Sequence, residues 1–182
     1  MAFHHIAVAT RDTEANHRFY TDATGFELVK VEIGKTPEGG WAKHLFYETG
    51  GGELIAFWEL HDDTIPTPVP SALSTDLGLP PWVNHIAFHA ADRSEIEKHK
   101  QRWLDHGHDV LEIDHDWCWS VYTLDPNGIL VEFCTMMRAL DANDHAEALR
   151  LLRDPAPALP SHGKPPIFHK ALRQRSAEGG SE

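Results

Sequence analysis

Three side chains able to bind a metal fall at matching places in this chain of 182 residues: His5, His85 and Glu132. Side chains alternate faces along an extended segment, so His5 shares a face with Ala7 and Ala9, and His85 shares one with Ala87. Each imidazole then stands beside a small residue on a side where a cavity can form. Ile6, Val8, Ile86 and Phe88 face the other way, toward a covering helix, and His4 is expected on that covered side. In a third extended segment Leu130, Glu132 and Cys134 share a face, and a carboxylate flanked by Val131 and Phe133 is costly to bury without a counter-charge or a metal. Two imidazoles and one carboxylate with open positions form the donor set of non-heme Fe(II) oxygenase sites, and Mn(II) or Co(II) also suits it. A lone strand histidine is more often a hydrogen-bonded or solvated residue, and the joint spacing is what distinguishes these three.

A turn adds a fourth candidate. Asp125-Pro126-Asn127-Gly128 suits a three-residue hairpin loop with glycine in the left-handed position, which pairs Asp125 with Ile129. Counting outward, Tyr122 falls opposite Glu132 on the same face, with Cα atoms ~5 Å apart. Its phenol is either a hydrogen-bond donor and proton shuttle beside the metal or an aromatic packed on the next strand. Aligning Gly52 with Gly128 places Ala56 where the other segment has Glu132, so the fourth ligand position is vacant; Glu53 and Glu59 have the wrong parity to fill it.

The elements that must position these residues come as a repeat. His5-Ile6-Ala7-Val8 returns as His85-Ile86-Ala87-Phe88, and each copy is followed by a polar break, an amphipathic helix, a glycine and extended segments. Asp12 and Thr13 can cap a helix bearing Ala15, Phe19 and Ala23, ended by Gly25. Ser94-Glu95-Ile96-Glu97 reads as a capping box for a helix bearing Ile96 and Trp103, ended by Gly107. The fold expected is α+β: two paired βαβββ modules making a curved mixed sheet around a metal site, with a C-terminal helix and tail. Residues 1–61 form the first module, 62–81 a proline-rich linker, 82–136 the second module, and 137–182 a helix capped by Asn143 followed by a tail. Ile167 and Phe168 are expected to pin part of that tail, with 174–182 mobile.

Composition narrows the partners. Against 16 Lys and Arg stand 28 Asp and Glu, a formal charge of −12, which repels nucleic acid and anionic membranes. Cys118 and Cys134 read as reduced thiols, and no apolar run approaches the ~20 residues that span a bilayer. A cytoplasmic protein without an export signal is expected. Histidine is abundant, 14 residues; His99, His106, His108 and His145 are expected in solvent, and Trp41, Trp58, Trp82, Trp117 and Trp119 in core or pocket walls suited to an aromatic substrate.

From about residue 3 to 135 these features resemble the vicinal oxygen chelate superfamily, built of paired βαβββ modules and including glyoxalase I, extradiol ring-cleaving dioxygenases, and fosfomycin- and bleomycin-resistance proteins. The resemblance implies that His5, His85 and Glu132 bind a divalent metal, with Fe(II) first and Mn(II), Co(II), Ni(II) or Zn(II) as alternatives. Ser120-Val121-Tyr122 looks like the catalytic-tyrosine segment of the extradiol enzymes, which use three protein ligands, whereas glyoxalase I has a fourth where this chain has Ala56. The histidine those dioxygenases often place at the start of the first module's last strand is absent from Gly50-Gly51-Gly52-Glu53; His44, His115 and Glu53 are substitutes. The expected function is an extradiol-type dioxygenase acting on a small aromatic diol, as a homodimer with the site within one chain or across a swapped pair. A glyoxalase-like lyase, isomerase or epimerase is the first alternative, and a metal-free small-molecule binding protein the second.

Overall fold

The computed structural model describes residues 3–159 and 164–172. Two mixed sheets form, four strands in the order β1-β4-β3-β2 and five in the order β5-β8-β7-β6-β9. In the first, β1 (His5–Thr10) lies parallel to β4 (Leu54–His61), and β2 (Glu27–Lys35) and β3 (Trp41–Glu48) follow antiparallel. The second repeats this with β5 (His85–His89) parallel to β8 (Leu130–Met136), then β7 (Cys118–Leu124) and β6 (Val110–Asp114). A fifth strand, β9 (Ile167–His169), is added antiparallel to β6, so the backbone at Ile167 and Phe168 ties the C-terminal segment to the sheet while both side chains stay exposed. Residues 174–182 lie outside the described residues.

The first helix starts where its cap dictates: the Asp12 carboxylate accepts the Ala15 N–H at 2.9 Å, and α1 runs Thr13–Arg18. It then widens into a π turn over Phe19–Ala23, which turns Phe19, Tyr20 and Ala23 into the core. In the second module α2 (Arg93–Asp105) is capped by Asp92 and not by Ser94; the Glu95 carboxylate reaches back to the Ala91 N–H instead. Ile96 and Trp103 are buried beneath it. Asp141 likewise replaces Asn143 as cap of α3 (Ala142–Arg153), since it and Asp144 satisfy each other's backbone donors. In each correction the capping residue is an aspartate two positions ahead of the residue expected, which leaves Ser94 and Asn143 inside the first turn.

One core joins the modules on the helix-covered faces: Tyr20, Phe26, Tyr47, Ile55 and Phe57 from the first meet Ile86, Trp103, Val121, Val131 and Phe133 from the second. A buried polar seam runs beside it. Thr10 Oγ1 donates to Asn127 Oδ1 at 2.8 Å, Asn127 Nδ2 donates to Asn16 at 2.8 Å, and the Tyr20 hydroxyl donates to Asp125 at 3.0 Å. Burial raises the Asp125 carboxyl above its ordinary value despite these donors. The turn expected at Asp125–Gly128 is therefore also the joint between the modules. Among the described residues no helix is long and apolar enough to cross a membrane.

Candidate functional site

The faces turned away from the shared core carry the candidate chemistry. In the second sheet Ala87, Glu132 and Tyr122 are consecutive cross-strand partners, so the pairing of Tyr122 with Glu132 read from the turn is what forms. Gly128 supplies the left-handed conformation (φ 83°), and Asp125 pairs with Ile129 through a 2.9 Å backbone bond. Glu132 is only 5% exposed, and its Oε2 lies 3.2 Å from His85 Nε2. His85 Nδ1 faces the Trp82 carbonyl oxygen at 3.1 Å, and a carbonyl only accepts, so Nδ1 carries the proton. The Nε2 lone pair and the carboxylate then converge, an arrangement of donors that suits a cation. A backbone carbonyl on the far ring nitrogen is also the usual support of a metal-binding histidine.

Tyr122 stands beside this pair. Its hydroxyl is 3.0 Å from His115 Nε2, and burial together with the facing Glu132 carboxylate pushes the phenol well above its ordinary pKa. It is thus a proton-bearing group across the physiological range. His115 sits in a tight β6–β7 turn with Asp116 at φ 68°, and Lys164 bridges Asp114 at 2.6 Å and Asp116 at 2.9 Å on either side of it. Of the three substitutes for the missing dioxygenase histidine, His115 is the one placed against the tyrosine.

The first sheet repeats the backbone with other side chains. Ala56 pairs with Ala7 and Phe46, as Glu132 pairs with Ala87 and Tyr122, so Ala56 occupies the carboxylate's place and Phe46 the tyrosine's. Glu59, of opposite parity, is taken up by Lys43, His61 and Thr13. His5 is exposed; its Nδ1 meets His4 Nδ1 at 2.7 Å, so His4 is not under the helix layer. His44, 7% exposed, lies 6.1 Å from the His5 ring and stacks on Trp58 at 3.7 Å, and its Nε2 has no hydrogen-bond partner among the described residues. Farther along the face that carries His5 an apolar groove of about 440 Å³ is lined by Ala9, Ile33, Ala42, Trp58 and Leu60.

The structure therefore joins His85, Glu132, Tyr122 and His115 and places His5 on the other sheet with His4 and His44. Among the described residues no three His, Cys, Asp or Glu side chains of one chain are grouped to hold a metal. His99, expected in solvent, lies flat on Phe133 at 3.5 Å, and burial lowers its pKa to about 4. Both cysteines are free, and burial raises the Cys118 thiol to about 12.

The family model described as the Glyoxalase/Bleomycin resistance protein/Dioxygenase superfamily matches residues 2–133. The chain belongs to this superfamily. No curated protein matches it. The superfamily fold recurs in a glyoxylase/bleomycin resistance protein/dioxygenase domain from Frankia sp. EAN1pec, at 15% identity and TM-score 0.58 over 75% of this chain and 98% of that one. FosX, a fosfomycin resistance protein from Listeria monocytogenes, gives 16% and 0.52 over 79% and 97%. TnmS3, an antibiotic-binding protein from Streptomyces sp. CB03234, gives 16% and 0.51 over 75% and 96%. At such identities the likeness is one of fold, and superfamily members range from enzymes to binding proteins, so the chemistry has to be argued from the site.

Proposed function

We propose that this protein is a divalent-metal-dependent enzyme of the superfamily, with His5, His85 and Glu132 as metal ligands and Tyr122 as catalytic residue, that cleaves a small aromatic vicinal diol with dioxygen in the extradiol manner. The observation that carries the reading is the Tyr122 hydroxyl, 3.0 Å from His115 and on the cross-strand row of Glu132, which itself faces His85 at 3.2 Å. The donors suit Fe(II) first, then Mn(II), Co(II), Ni(II) or Zn(II). A bound ion supplies Lewis acidity toward the two oxygens of a diol. Tyr122 donates a hydrogen bond to oxygen as negative charge develops there, and His115 accepts the proton that the diol sheds through the Tyr122 hydroxyl. Trp58 and Phe46 supply an aromatic surface for the ring.

His5 completes the set when a second copy turns its first sheet toward the His85–Glu132 pair. Support comes from the exposure of His5 and His85 on their respective sheets. A homodimer with cytoplasmic location is part of the same proposal. A glyoxalase-like reaction is disfavoured by Ala56. A metal-free binding protein is the second reading, favoured by the apolar groove beside Trp58.

The test is metal analysis of protein purified without added metal, followed by anaerobic loading with Fe(II) and exposure to oxygen with substituted catechols. About one metal per chain, oxygen uptake and a yellow ring-opened product support the reading. Metal without oxygen uptake, together with turnover of a hemithioacetal, moves the protein to the lyase and isomerase class. No metal, with tight binding of an aromatic ligand, establishes the binding protein.

A further inference from the structure

We propose that the cavity between the two modules, beside α2, is a second ligand site, and that it takes a flat aromatic molecule carrying a positive charge. The cavity has a volume of about 1000 Å³, its walls come from both modules, and none of His5, His85, Tyr122 and Glu132 lines it. The site is therefore separate from the reacting groups and independent of the diol reading. Its inner wall is aromatic. Phe26 of the first module and Phe88 of the second meet edge to face with ring centres 4.9 Å apart, and His99 of α2 lies flat on Phe133 at 3.5 Å. All four rings line the cavity, with Ile6 and Ile86 beside them. Burial keeps His99 uncharged above about pH 4, so this wall carries no charge of its own at neutral pH. Small molecules bind in cavities of this kind, mostly apolar with a few polar groups, and flat rings gain most from stacking on such walls.

The first module's side of the cavity sets the sign of the charge. Glu27 and Glu48 line it as direct cross-strand partners, a like-charge pairing that costs stability unless a cation answers it. Glu53 joins them across the Gly50-Gly51-Gly52 turn. There the Glu48 carboxylate accepts the Gly52 N–H at 2.8 Å, and the Glu53 carboxylate fills the space that a side chain at residue 51 would take. Gly50 and Gly52 hold left-handed conformations, φ 108° and 89°, that favour glycine. Among the described residues none of these three glutamates is paired with a lysine or arginine. A fourth, Glu95, is taken by the Ala91 N–H. Arg102 is the one Lys or Arg among the described residues of the lining, and its guanidinium lies on Gly25. An excess of carboxylates beside a low-dielectric wall concentrates cations and repels anions, and a cation over ring faces is held by the rings as well.

The experiment uses the full chain, free of metal, and three probes of nearly one shape: 2-(1-naphthyl)ethylammonium, 2-(1-naphthyl)ethanol and 1-naphthylacetate, titrated by calorimetry at neutral pH. The ammonium should bind about tenfold or more tighter than the acetate, with the alcohol between them. Glu48→Gln combined with Glu53→Gln should cost the ammonium about tenfold and the alcohol less than about twofold. Ala91→Trp, at an exposed position of the lining, fills the cavity and should weaken all three probes about fivefold or more. Tyr122→Phe, in the reacting group of the second sheet, should leave them within about twofold. Arg102→Gln, on an exposed side chain, should tighten the ammonium about threefold, and it decides the sign of the site where the double variant folds poorly. No ammonium binding below ~1 mM, equal affinity for ammonium and acetate, weaker ammonium binding in Arg102→Gln, or a loss in Tyr122→Phe as large as in Ala91→Trp would overturn the proposal.

Discussion

The two modules share a backbone plan and differ in what they hang on it. Position for position, His5 matches His85 and Ala7 matches Ala87, but Phe46 stands for Tyr122, Ala56 for Glu132 and His44 for Ser120. One sheet therefore concentrates the carboxylate and the phenol, while the other offers aromatic surface and histidines. The two faces are equivalent in backbone, and the differences at these three positions give one of them a carboxylate and a phenol where the other has an alanine and a phenyl ring.

The strongest way to break this division is to remove the carboxylate. Glu132→Ala should lower metal affinity at least a hundredfold, read by metal content after dialysis, and leave the melting temperature almost unchanged, because the side chain faces away from the shared core. Glu59→Ala, in the other module and tied to Lys43 and His61, should retain full metal. Equal metal in both variants would end the assignment.

The next effect separates phenol from phenyl. Tyr122→Phe should reduce kcat about a hundredfold with KM within threefold, since the hydroxyl acts on charge that develops during reaction. His115→Ala should do the same, and the double variant should lose no more than either single one, because the two share one hydrogen bond. Phe46→Leu, at the matching place of the first module, should instead raise KM and spare kcat.

Much of this division was legible in the sequence, and the reason is local. A strand's parity and a turn's length set which residues face one another, so Tyr122 opposite Glu132 and Ala56 in the carboxylate's place followed from counting outward from Gly128 and Gly52. What counting cannot reach is how one sheet lies against the other. The seam of Thr10, Asn16, Tyr20, Asp125 and Asn127 links residues more than a hundred positions apart. The caps failed for a different reason: Asp92, Ser94 and Glu95 are all competent, and only the backbone geometry decides which one sits at the helix start. His99 looked solvated because its neighbours in sequence are charged, yet the face of α2 that it occupies meets Phe133.

That burial predicts an effect of pH on stability. His99 is neutral in the folded chain down to about pH 4, whereas the unfolded chain takes up a proton below its ordinary value near 6.5. Between those values the unfolded state binds more protons, so stability falls as the pH drops from 6.5 to 4. Discounted for the water that still reaches the ring, the loss is about 2 kcal/mol. His99→Gln should flatten this part of the curve, measured by urea unfolding at pH 7 and pH 4.5. An unchanged slope would mean that another group titrates there.

The smallest effect concerns the turn that carries His115. Lys164 links Asp114 and Asp116 across that turn, and the lysine is more than half exposed, so the clamp adds little to global stability. Lys164→Ala should therefore loosen the turn without melting the protein: faster hydrogen exchange at the backbone amides of His115 and Trp117, and a two- to fivefold fall in turnover of the best diol. Both differences should shrink as salt is raised toward 1 M, where the Debye length of ~3 Å screens the pair in the parent protein. A loss that persists undiminished at high salt would show that Lys164 acts by packing its stem against the turn and not by its charge, and the geometry of His115 would then owe little to the ionic fastening of the C-terminal segment.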